Sequence, residues 1–206
     1  MHYPHEREER KQLFSTLVDN AQQDLLFVSY ARVILGSLFV TIALGISVFY
    51  GTHATISPAL WLTFWSISLG CICLLLFALP LLMPRQKGRK LYGIKREFVI
   101  KNMFPSILTG LAVFWVIGLS HLGLSYAAAL LGIFFAHTLH SLHTFSMPSI
   151  KNHSIITAIL SMTLLVVLSR HNTFPLAQHH TANLILVITI GLPSIAVGGW
   201  HLVLKK

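Results

Sequence analysis

Acidic residues are almost missing from this chain of 206: Glu6, Glu8, Glu9, Asp19, Asp24 and Glu97 are all there are. General acid–base work, two-metal chemistry and cation-coupled transport draw on carboxylates, so each lacks its usual groups here. Charge of either sign is scarce, at 10% of residues, where soluble domains carry roughly 25%. With 54% hydrophobic residues and a mean hydropathy of +0.71, so short a chain cannot hide its apolar surface from water. That excludes a conventional soluble enzyme, a disordered chain, a coiled coil and a disulfide-stapled secreted module. Cysteine is limited to Cys71 and Cys73. Their i,i+2 spacing points them about 200° apart on a helix, against a disulfide or a shared metal, and leaves them as small buried hydrophobes. Gly-rich phosphate loops, GxSxG and CxxC are absent too. A non-enzymatic role is the expectation.

Long apolar runs are what the chain does have. Six approach the length of about 20 residues that crosses a hydrocarbon core: Val33–Tyr50, Pro58–Met83, Phe104–Ser120, Ser125–Phe145, Ile155–Leu168 and Asn183–Leu204. The fifth is shortest and is expected to begin a turn early or to span a thinned site. None contains Asp, Glu, Lys or Arg, and none alternates as barrel strands do. The expected fold is all-α, a polytopic membrane bundle of six transmembrane helices over residues 33–204.

Placement of the 15 Lys and Arg residues orients it. Arg7, Arg10, Lys11 and Arg32 precede the first span. Arg85, Lys87, Arg89, Lys90, Lys95, Arg96 and Lys101 crowd a basic loop at 84–102, while Lys151, Lys205 and Lys206 lie on the same side. Only Arg170 falls opposite. Cations gather on the cytoplasmic face, so both termini are expected inside, in the inner (plasma) membrane. Such cations meet anionic lipid headgroups, and they form no basic recognition face for nucleic acid. Tyr30, Tyr50, Trp61, Tyr126 and Trp200 fall near span ends, where an amphipathic ring is favoured. In the cytoplasmic segment 1–32, Leu13, Phe14, Leu17, Val18, Ala21 and Leu25 recur at helical spacing. They predict an amphipathic helix, lying at the interface or packed on the loop at Arg85–Asn102.

Histidine, with 12 copies, is the over-represented functional residue. His137, His140 and His143 share about 120° of the fourth span. With a ligand from another helix, His201 or His153, they could approach a haem iron or a metal ion. The plainer reading puts His140 and His143 at headgroup level and lets His137 hydrogen-bond a neighbouring helix. On the outer side, His53, His121, His171, His179 and His180 are either a metal-binding or pH-responsive patch or scattered loop residues. No carboxylate accompanies them, and adjacent His179 and His180 point apart on a regular helix. Gly191 and Pro193 mark a hinge, or a static kink, in the last span. Ser37, Thr41 and Gly45 form a small-residue stripe suited to close helix contact, within the bundle or in a homo-oligomer.

A charged lead at Arg7–Phe14, a basic connection ending Arg96–Asn102 and a turn at His143–Ser149 together frame these spans. That arrangement resembles the six-helix membrane sensor modules at the N-terminus of bacterial diguanylate cyclases and sensor histidine kinases. The resemblance implies an input module whose last span drives a cytoplasmic output domain. No effector motif follows the last span, so either that domain is missing or the signal passes to a separate cytoplasmic or membrane partner. The expectation is a membrane sensor or anchor that needs no cofactor. A haem- or metal-binding subunit using His137, His140 and His201 is the second reading, and a small transporter or channel subunit the third.

Overall fold

The computed structural model describes residues 29–50, 56–82, 91–120, 122–143, 148–170 and 178–203. Among them every regular element is helical: α1 (29–50), α2 (Pro58–Leu82), α3 (Leu91–Leu119), α4 (Gly123–His143), α5 (Pro148–Arg170), α6 (Gln178–Leu186) and α7 (Leu192–Val203). A π-helical turn, Val187–Gly191, joins α6 to α7 in one continuous rod. Four helices are long and apolar enough to cross a membrane, at Ser29–Tyr50, Gly123–His140, Ile150–Arg170 and Gln178–Val203. Pro58–Ile72 and Pro105–Leu119 are shorter apolar stretches of α2 and α3. The N-terminal amphipathic segment, Arg85–Lys90, His53, His121, His171 and the last two lysines lie outside the described residues.

Local chemistry sets the helix ends. Ser57 caps α2, its Oγ accepting from the Leu60 N–H at 3.2 Å. Ser120 closes α3 by donating to the Ile117 carbonyl at 2.7 Å. Gly123 then turns the chain with φ +80°, a left-handed conformation that favours glycine. The basic connection is itself helical from Leu91, so Lys95, Arg96 and Lys101 ride on the first turns of α3. α5 begins at Pro148, two turns ahead of its apolar run.

Contacts along the rods show consecutive helices running antiparallel. Ser29, Gly36 and Ala43 of α1 meet Gly198, Gly191 and Asn183 of the last rod in descending order. His153 and Ser161 of α5 meet Ser194 and the neighbourhood of Thr189 in the same sense. The start of α1, the start of α5 and the end of α7 therefore share one end of the bundle, called proximal here. Asn183, Trp61 and the α3–α4 turn share the distal end. The buried apolar cluster fills the space between, from Phe39, Trp61, Trp65 and Phe114 to Ala127, Leu186 and Ile190.

Glycine decides how closely α1 approaches the last rod. A methyl group at Gly36 would stand 2.5 Å from the Gly191 carbonyl oxygen, and one at Gly198 would stand 2.8 Å from the Ser29 carbonyl oxygen. The expected stripe is a different one and takes no part in that approach within the chain. Ser37, Thr41 and Gly45 lie on the exposed side of α1, and Gly45 has nothing within 4 Å of an added methyl. Three further expectations are corrected. Arg32 is a residue of α1 and only 6% exposed, not a surface cation ahead of it. Trp61 does lie in the first turn of α2, but its ring is interior at 1% exposure, with the indole N–H held by Asn183 rather than by an interface. Cys71 is exposed, since it lies on the outward side of α2.

Candidate functional site

α5 carries His153, Ser154, Thr157 and Ser161, at i, i+1, i+4 and i+8, on one helical face. His153, Thr157 and Ser161 are 0% exposed, while Ile155, Ile156, Ile159, Met162 and Val166 on the other side are exposed. A water-facing helix shows the reverse arrangement. α5 is polar inside and greasy outside.

The last rod faces this stripe with Thr189 and Ser194, both fully buried. Five residues apart, they would diverge by about 140° on a regular α-helix. The π turn supplies the missing rotation, because an i→i+5 turn carries residues five apart back toward one face. Its cause is in the sequence. Pro193 has no N–H, and its ring would clash with the carbonyl four residues earlier, that of Thr189. The chain answers with a wider turn, in which the Leu192 N–H donates to the Val187 carbonyl.

Contacts knit the seam together. Ser194 Oγ lies 3.2 Å from His153 Nε2. Ser154 Oγ donates to the Ala136 carbonyl of α4 at 3.0 Å, and Thr189 Oγ1 donates to the Ile185 carbonyl at 2.8 Å. Phe135 presents its ring edge-on to His153 with centroids 6.0 Å apart. At Gly132 of α4 an added methyl would collide with Ser161 Oγ and stand 3.1 Å from Thr189 Oγ1. Only a residue without Cβ lets three helices meet there. Arg32 packs its Cβ on Gly198, one helical turn beyond Ser194, so α1 brings an arginine and α5 a histidine to the same stretch of the last rod. His153 Nδ1, Thr157 Oγ1 and Ser161 Oγ are buried with no hydrogen-bond partner.

Ser194 and His153 stand at the spacing of a nucleophile and its base. Nδ1, the atom that a third group would orient in a triad, has no partner, and neither side chain reaches the surface. As it stands, the pair links α5 to α7.

A second polar cluster occupies the distal end. Asn183 Oδ1 accepts from the indole N–H groups of both Trp61 and Trp65, each at 3.0 Å. Its Nδ2 donates to Ser47 Oγ at 3.2 Å and the Ala43 carbonyl at 3.4 Å. One amide thus ties α1 and α2 to α6. Trp115 adds a bond from α3, donating to Ser66 Oγ at 2.9 Å.

Among the described residues, the histidines singled out in the sequence do not gather into one site. His137 and His140 lie on the exposed side of α4, and His201 is half-buried on α7. Among the described residues no three His, Cys, Asp or Glu side chains gather closely enough to hold a metal ion. His179 and His180 are neither loop residues nor divergent. Both are buried in the first turn of α6, with ring centroids 4.1 Å apart. Side-chain torsions there bring the rings together despite the 100° between adjacent positions. The seam around His153 was not assembled by reading histidines. Its signal was the spacing of hydroxyl residues on α5. Comparison with known proteins adds nothing to this geometry: no family model, no curated protein and no solved structure matches the chain.

Proposed function

We propose that the chain is an integral inner-membrane protein of six spans, with both termini cytoplasmic. In this reading it senses a membrane or periplasmic condition and passes the signal to a separate cytoplasmic partner. One observation carries the membrane assignment. α5 hides His153, Thr157 and Ser161 while exposing Ile155, Ile159 and Met162, which is favourable against lipid and unfavourable against water. The one-sided distribution of cations supports the orientation.

The sensing role draws on the last rod. It combines a π turn, Pro193 and a glycine crossing with α1, and it carries Ser194 against the His153 imidazole. An element that swaps between two registers at such a turn would move the proximal end of α7 relative to α1. The connections on the other side are short, so a ligand is expected to be apolar or to enter the bundle. The partner would meet the basic segment around Lys95–Lys101.

A reporter enzyme fused after Lys206 tests this. His153→Ala and Pro193→Ala are expected to change its output several-fold, with insertion unaltered. Unchanged output under every envelope stress tried, in variants that insert normally, would remove the sensing role. Tags on the two ends that prove accessible from opposite sides would remove the topology.

A further inference from the structure

Buried polar groups without partners are expensive in any apolar interior, and α5 places three of them in file. We propose that the seam is the shut form of an inlet that admits water and small anions from the proximal end as far as the Gly132–Ser161 crossing. The inference rests on the bundle standing in a membrane and is independent of the sensing role.

Spacing favours water. Residues four apart on a helix rise by about 6 Å, close to two hydrogen bonds of about 2.8 Å laid end to end. One water between His153 Nδ1 and Thr157 Oγ1, and another between Thr157 Oγ1 and Ser161 Oγ, would satisfy all three atoms. The file would run about 12 Å into the bundle. Beyond Ser161 the inner face turns apolar at Leu168, and the path ends. In the present structure these side chains are fully buried, so the inlet is closed. The π turn beside it is the place where the last rod can give way.

Charge selects the passenger. The seam offers hydroxyl donors from Thr157, Ser161 and Ser194, an imidazole and, beside Gly198 at its proximal end, the cationic residue Arg32. No carboxylate lies among these residues. A cation finds no ligand of opposite charge there, whereas a small anion meets donors throughout and a cationic residue at the proximal end.

The experiment uses the full chain in liposomes of neutral phosphatidylcholine, with Cys71 and Cys73 replaced by alanine. Thr157→Cys, Ser161→Cys and Ser194→Cys are each compared with Ile159→Cys on the exposed side of α5. The probes are an anionic sulfonatoethyl and a cationic trimethylammonioethyl methanethiosulfonate, applied at the proximal side. The anionic reagent is expected to modify the seam cysteines about tenfold faster than Ile159→Cys. It is also expected to outpace the cationic one by about tenfold, the effect of one charge at about 10 Å in partly polar surroundings. Arg32→Gln should abolish that preference and Arg32→Lys retain it. Three cysteine positions keep the test decisive if one variant fails to insert. Seam cysteines as unreactive as Ile159→Cys would mean dry packing and overturn the inlet. A faster cationic reagent would overturn the anion preference.

Discussion

Two polar clusters, one toward each end of the bundle, bury their side chains in opposite ways. At the distal end Asn183 uses its whole amide, accepting two indole N–H groups and donating twice to α1. At the proximal end the His153 seam makes one bond across to Ser194 and leaves Nδ1, Thr157 Oγ1 and Ser161 Oγ unmet. A saturated knot holds three helices in register and has no capacity left for a ligand. An unsaturated seam holds less well and retains binding capacity. Polarity inside a greasy bundle is thus a structural device in the one cluster and a functional candidate in the other.

The sharpest way to break that contrast is Asn183→Ala. It strands two indole N–H groups and is expected to cost about 2–4 kcal/mol, the lower bound reflecting how modest such bonds prove among membrane helices. Thermal unfolding in detergent, followed by tryptophan fluorescence, reads it directly through Trp61 and Trp65. A loss below about 1 kcal/mol would show that the knot is no stronger than the seam. Next in size is Gly132→Ala, which drives a methyl into Ser161 and Thr189 and is expected to cost about 1–3 kcal/mol by overpacking. Gly45→Ala, with open space around it, is the matched control and should leave the melting temperature unchanged or raise it, alanine being the better helix former. The smallest effect is expected from Thr157→Val. Removing an unpartnered hydroxyl while keeping its shape should leave stability unchanged or raise it by up to about 1 kcal/mol. Destabilisation by that amount would mean that the hydroxyl is satisfied and that the seam resembles the knot.

Which helices exist was legible, and which way they face was not. Runs such as Ser125–Phe145 and Ile155–Leu168 announced themselves by hydropathy, and α4 and α5 cover most of both. In a water-soluble protein the apolar stripe also tells the inward face. Here lipid and core both accept Leu and Ile, so apolar residues carry no azimuth. That is why the spacing of Ser37, Thr41 and Gly45 picks out a stripe that faces outward in the chain, and why Trp61 is expected at an interface. Polar residues do carry azimuth, because they shun lipid. His153, Thr157 and Ser161 recur every four residues and could have been read as an inner face. Counting histidines drew attention to His137 and His140, which the fold turns outward. The burial of Arg32 was hidden by a one-turn difference in where α1 begins.

The wide turn at Val187–Gly191 also fixes the heading of everything after it. Rewinding it as an ordinary spiral with every residue kept would twist the downstream segment by about 100°. Ser194 would then swing off the imidazole, and Trp200, now at the periphery, would sweep round with it. One surplus residue thus acts as a rotational key, setting the compass bearing at which the chain leaves the bundle.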